Sequence, residues 1–122
     1  MAMKKVLVVD DELFARRNLK RLLEPKEDLE IIEADNAVTA FSVYNDQKPD
    51  FVILDISMPR MGGDELMNVI LATDEKAKII VCSGKPRSEM RKYISMGAKF
   101  FVSKPINSDN LYYCVDKLCS RI

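Results

Sequence analysis

The sequence contains no histidine. That excludes a Ser-His-Asp triad, a histidine general base, a histidine metal ligand and a phosphohistidine within this chain. Cysteine is scarce: Cys82, Cys114 and Cys119 are the only three, and no two of them form a C-x-x-C pair. A zinc site normally takes four nitrogen or sulfur ligands, so these thiols read as reduced, packed small hydrophobes. Charge of one sign is missing too, because 19 Lys+Arg balance 19 Asp+Glu. A balanced chain exerts no global pull on nucleic acid or on an anionic membrane. No apolar run approaches the roughly 20 residues needed to cross a bilayer. The run after Met-Ala-Met-Lys-Lys is too short for a signal-peptide core. The expectation is a cytoplasmic protein with no direct nucleic acid binding and no membrane partner.

What is present is an ordinary globular composition. The chain has 122 residues, 48 % of them hydrophobic, which suits a single domain over residues 1–122. Short apolar runs alternate with longer amphipathic stretches. The runs are Val6-Leu7-Val8-Val9, Ile31-Ile32, Phe51-Val52-Ile53-Leu54, Ile79-Ile80-Val81-Cys82 and Phe100-Phe101-Val102. Most are continuous, as in strands buried on both faces of a parallel sheet. Between them, Ala15, Leu19, Leu22 and Leu23 fall on one helix face, and Ala37, Ala40, Phe41 and Tyr44 repeat the spacing. Leu66, Met67, Val69 and Ile70 suggest a third helix, and Met90, Tyr93, Ile94 and Met96 a fourth. Leu111, Val115, Leu118 and Ile122 form a fifth, with Asn107 or Ser108 as N-cap. Five strands alternating with five helices predict a doubly wound α/β fold, whose ligand site lies beyond the carboxyl ends of the strands.

The residues after the runs therefore carry the functional argument. Asp10, Asp11 and Glu12 follow the first, Asp55 the third, Ser83 and Gly84 the fourth, and Ser103, Lys104 and Pro105 the fifth. Glu12 reads as an acid at a helix N-terminus, favoured by the dipole. Asp10, Asp11 and Asp55 fit that explanation less well. Three crowded carboxylates repel one another unless a cation intervenes. All-oxygen ligands that retain water suit Mg²⁺. Asp55 ends an apolar strand, so its carboxylate is held in place and can attack phosphorus to form an acyl phosphate. Such transfer depends on positioning and charge neutralisation, which Mg²⁺ and Lys104 would supply, while Ser83 could donate to a phosphoryl oxygen. Taken singly, Ser83 is a turn serine and Lys104 a solvated lysine; their placement at successive strand ends makes a site the better explanation. The Lys104-Pro105 bond could be cis, aiming Lys104 inward, or an ordinary trans turn.

The stretches VLVVDDE at 6–12, DFVILDISMPRMGGDEL at 50–66, IIVCSG at 79–84 and AKFFVSKP at 98–105 occur in this order. In this respect the chain resembles the receiver domains of two-component response regulators, the CheY-like family. The resemblance implies a (βα)5 flavodoxin-like fold with strand order 2-1-3-4-5. It implies a phospho-accepting signalling switch rather than a conventional enzyme. Asp55 matches the phosphoacceptor, and Asp10 and Asp11 match the pair that holds Mg²⁺. Ser57 matches the position whose backbone carbonyl completes the metal site. Ser83 matches the switch hydroxyl, Lys104 the lysine that pairs with phosphoryl oxygen, and Phe101 the switch aromatic. Met58-Pro59 and Gly63 match the loop after the acceptor strand.

The resemblance further implies a histidine kinase or histidine phosphotransfer protein as donor, since the chain has no histidine of its own. Output would pass to an unknown domain or protein. A homodimer could form through the face made by the fourth helix, fifth strand and fifth helix. Three departures stand out. Gly62 replaces a frequent Asp, which predicts a looser loop over 60–63. Phe101 lacks a hydroxyl, so a switch there works by packing. Lys85 sits at a position that, in the family, tunes phosphorylation lifetime, where it would interact with the phosphoryl group or crowd attacking water and so slow hydrolysis. Two other readings of the same residues stand beside this one. A phosphorylation-silent interaction module keeps the fold alone. An aspartyl-phosphate phosphatase usually carries a second Asp two residues past the nucleophile, and here Ser57 stands there. Arg16, Arg17, Lys20 and Arg21 form a basic strip on the first helix, best read as a solvated face; docking of a partner kinase domain is the other option.

Overall fold

A strand whose side chains are all apolar has to be covered on both faces, and the central strands meet that requirement with helices. In the computed structural model, which describes residues 3–58, 62–84 and 87–119, the elements are β1 (Lys4–Val9), α1 (Leu13–Leu23), β2 (Leu29–Ala34), α2 (Ala37–Gln47), β3 (Phe51–Asp55), α3 (Gly63–Thr73), β4 (Ile79–Ser83), a 3₁₀ turn (Arg87–Glu89), α4 (Met90–Met96), β5 (Phe100–Ser103) and α5 (Ser108–Cys119). The sheet order is β2-β1-β3-β4-β5 and every pairing is parallel. The expected α/β architecture and strand order are both observed.

Alternation along the strands divides the core in two. Val6, Val8, Phe51, Ile53, Ile80, Cys82 and Val102 pack with Leu19 and Leu23 of α1 and with Leu111, Cys114 and Val115 of α5. Leu7, Val9, Val52, Leu54, Ile79 and Val81 pack with α2, α3 and Tyr93 of α4. Each fully buried aliphatic side chain contributes about 1.5–3 kcal/mol, so β1, β3 and β4 anchor the domain. The edge strand β2 is buried only at Leu29 and Ala34, with Ile31 and Ile32 half-buried between the exposed Glu30 and Glu33, which is why only its Ile31-Ile32 centre stands out as an apolar run. Val69 and Ile94, placed on apolar faces by spacing, are instead 36 % and 42 % exposed. Asn107 is the cap of α5, accepting the Asn110 backbone N–H at 3.1 Å. Ile122 lies outside the described residues, as do Pro59 and Lys85 and residues 60 and 61 of the loop over 60–63.

Parallel pairing puts all five carboxyl ends on one edge. The entry into α3 sets the shape of that edge. A Cβ at Gly63 would lie 2.6 Å from Ile56 Cα and 2.9 Å from the Asp55 carbonyl oxygen. Only glycine lets the helix start this close to the end of β3.

Candidate functional site

The carboxyl edge gathers charge because β1 and β3 are neighbours, β1 running straight into Asp10 and β3 ending in Asp55. Asp10 follows β1 and is 1 % exposed. Its backbone N–H donates to the Ala34 carbonyl at 3.2 Å, continuing the pairing with β2. Its Oδ1 accepts the Glu12 backbone N–H at 2.9 Å, a local turn that leads the chain into α1. Glu12 occupies the N-cap position, but its side chain makes no capping hydrogen bond. Asp11 is exposed. Asp55 closes β3, 5 % exposed, and its Oδ1 accepts the Ser57 backbone N–H at 3.1 Å. One carboxylate oxygen from each of Asp10, Asp11 and Asp55 lies within 4.8 Å of the others.

Lys104 enters from β5. Its backbone N–H donates to the Ser83 carbonyl at 2.8 Å, and the Lys104-Pro105 bond is cis. Its Nζ stands 3.4 Å from Asp10 Oδ2 and 3.5 Å from Asp55 Oδ1. These separations are long for hydrogen bonds and act mainly as charge–charge contacts. Burial pushes the Asp10 carboxyl above its ordinary value, and the Asp55 charge adds to that. The Glu12 N–H and the Lys104 ammonium oppose the rise without cancelling it. For Lys104, burial disfavours the charge, but Asp55 and Asp10 together outweigh burial and hold the ammonium above its usual value. Among the described residues, the cluster of three carboxylates meets one ammonium, and the excess negative charge suits a further cation. The donors are all oxygen, which fits a hard divalent ion such as Mg²⁺. Cys82 pairs in register with Asp55, but burial pushes its thiol up to about 12, so it offers no thiolate.

Ser83, the last residue of β4, is fully buried and tied to Lys104 through its carbonyl. Ser57 is exposed in the turn after β3. Phe101 is not part of the carboxylate cluster. It lies three residues before Lys104, about 10 Å along an extended strand, and its half-buried ring stacks on Tyr93 with centroids 6.1 Å apart.

Arg16 also stands beside the site. The sequence places it with Arg17, Lys20 and Arg21 on a solvated strip, but its side chain is only 13 % exposed. Nη1 donates to the Asp10 carbonyl at 2.8 Å and Nε to Glu33 Oε1 at 3.1 Å. The only signal in the sequence was position: Arg16 sits in the first turns of α1, close to the carboxyl edge. Its acceptor is a backbone carbonyl, which no residue type announces.

Comparison with known proteins gives the family and the fold. A family model described as the response regulator receiver domain matches residues 6–116. The chain is 38 % identical over 116 residues to the chemotaxis protein CheY of Listeria monocytogenes, covering 94 % of this chain and 98 % of that protein. It is 38 % identical over 117 residues to CheY of Thermotoga maritima, covering 94 % and 97 %. Among solved structures, the CheX–CheY–BeF₃–Mg²⁺ complex from Borrelia burgdorferi contains a chain that superposes with a TM-score of 0.89 at 27 % identity, covering 98 % of this chain and 92 % of that one.

Proposed function

The chain belongs to the response regulator receiver family, and from that premise we propose that it is a phospho-accepting switch with Asp55 as the acceptor. The observation that carries the proposal is the pairing of one ammonium with carboxylates from two strand ends. Lys104 lies within 3.5 Å of both Asp10 and Asp55, inside a three-carboxylate oxygen cluster.

Asp10, Asp11 and Asp55, with the Ser57 carbonyl, would hold Mg²⁺. The ion, when bound, supplies neutralisation of charge on the phosphoryl oxygens. The protein's own groups do the rest. A free Asp55 carboxylate oxygen attacks phosphorus of a phosphohistidine on a kinase or phosphotransfer protein. The P–N bond breaks, the P–O bond forms, and the electron pair leaves with the imidazole. Burial of Asp55 and the Ser57 N–H on its Oδ1 hold the carboxylate in one orientation. Lys104 pairs with a phosphoryl oxygen, and the Ser83 hydroxyl donates to another. Lys104 is bonded to Ser83 through the backbone, so a shift of either group reaches both strand ends.

Movement of Ser83 and the loop after it would bias the packing of Phe101 on Tyr93, and with it the face made by α4, β5 and α5. That face would receive the output partner or a second copy of the chain. The chain acts as a switch that assists its own phosphorylation and dephosphorylation, in a cytoplasmic setting. The test is intact mass after incubation with a small phosphodonor, with Mg²⁺ or EDTA, and then with a histidine kinase. A gain of one phosphoryl group that requires Mg²⁺ and is absent in Asp55→Asn is the expected result. No gain from either donor overturns the proposal.

A further inference from the structure

We propose that Arg16 and Glu33 form a clamp that positions the acidic pair for its cation; this rests on the reading of Asp10, Asp11 and Asp55 as the Mg²⁺ site. Asp10 has every backbone and side-chain polar atom engaged. Its N–H goes to Ala34, Oδ1 accepts Glu12 and Oδ2 faces Lys104. Its carbonyl oxygen accepts Arg16 Nη1 at 2.8 Å. That carbonyl belongs to the planar peptide unit joining Asp10 to Asp11. Fixing its direction therefore fixes how the two acidic residues are turned relative to each other. Asp11 is exposed, so the peptide plane is its main support.

Arg16 is itself held. Its Nε donates to Glu33 Oε1 at 3.1 Å, and Lys20 Nζ stands 3.7 Å from the other oxygen of Glu33. Glu33 precedes Ala34 at the end of β2, where Ala34 takes the Asp10 N–H. Both ends of the clamp are thus anchored on the same strand terminus. The guanidinium suits this task because its planar fork binds two acceptors in fixed directions, which a single ammonium does less well. Glu33 has a second effect. An uncompensated guanidinium beside a cation site would repel the cation, and the Glu33 carboxylate offsets that charge. An exposed ion pair alone would be worth little, but Arg16 is mostly buried and bonded to backbone. Partners behind a metal ligand typically change metal affinity by about 10–100-fold.

The test is calorimetric titration with Mg²⁺ of wild type, Arg16→Met, Glu33→Gln and the double variant, each checked for cooperative unfolding. We expect Arg16→Met to raise the Mg²⁺ Kd by about 10-fold, Glu33→Gln to raise it less, and the double variant to match Arg16→Met. Should Arg16→Met fail to fold, Arg16→Lys should show a smaller loss. Loss of thermal stability with unchanged Kd marks a merely structural role and overturns the clamp. So does a lowered Kd in Arg16→Met, which would leave only the charge repulsion of the guanidinium and no grip. Wild type that binds no Mg²⁺ overturns the site and this inference together; wild type that binds while Arg16→Met binds equally well overturns the clamp alone.

Discussion

Lys104 Nζ lies between two carboxylates of different strands, 3.4 Å from Asp10 Oδ2 and 3.5 Å from Asp55 Oδ1. With no divalent ion bound, the ammonium is the counter-charge that makes the cluster tolerable. It therefore competes with any cation for the same oxygens. Lys104→Met should lower the Mg²⁺ Kd roughly 3- to 10-fold, since a partly exposed pair of this kind is worth on the order of 1 kcal/mol. The same change should reduce phosphoryl uptake. Calorimetry with Mg²⁺ checks the first effect and intact mass the second; an unchanged or higher Kd would show that the ammonium does not compete.

Asp10 carries a pH signature. Burial and the Asp55 charge raise its carboxyl above the ordinary value of 3.8 despite the Glu12 N–H and Lys104. The folded state thus holds this proton more tightly than the unfolded chain does. Its contribution to stability is full below the unfolded value and is lost as pH rises through the folded one. At neutral pH the ionised Asp10 costs stability. Asp10→Asn should raise Tm at pH 7 without divalent ions, by about 3–6 °C per kcal/mol relieved. The gain should shrink as pH falls toward 3.8. Melting curves from pH 3.5 to 8 decide it; a gain independent of pH contradicts the assignment.

Gly62 and Gly63 should respond oppositely to alanine. A Cβ at Gly63 meets backbone at 2.6 and 2.9 Å, whereas one at Gly62 comes no nearer than 3.9 Å to the Met58 carbonyl. Gly62 also has φ −69°, which any residue adopts. Gly63→Ala should cost about 1–3 kcal/mol from forced backbone shifts and disturb the Asp55 carbonyl. Gly62→Ala should be neutral or gain about 0.4–1 kcal/mol. Urea denaturation of the pair is sufficient, and equal effects at both positions would refute the steric argument.

Cys119 should label before Cys82. Cys82 is fully buried and pushed up to about 12 by that burial, while Cys119 is only partly buried. The thiolate is the reactive form. Iodoacetamide on the native protein at pH 8 should modify Cys119 first and Cys82 only on unfolding. Peptide mass mapping over time gives the order; early labelling of Cys82 would mean that β4 opens readily.

The carboxyl-edge residues were legible in the sequence because strands in a parallel sheet share one direction. Five apolar runs, each followed by its own polar residues, suffice to bring Asp10, Asp11, Asp55, Ser83 and Lys104 to one edge without any knowledge of contacts. The helices were legible from spacing, except where a face is half covered, as at Val69 and Ile94. The tertiary structure alone decided three things. It turned Arg16 out of a solvated strip and onto the Asp10 carbonyl, through Glu33, which lies 17 residues away in the chain. It set Phe101 against Tyr93. It made Gly63 a steric necessity beside the Asp55 carbonyl. In two of the three cases the decisive partner is a backbone oxygen, which every residue carries and no sequence pattern marks. Periodicity and strand-end chemistry belong to the sequence; the direction of a carbonyl and the space beside it exist only once the chain has folded.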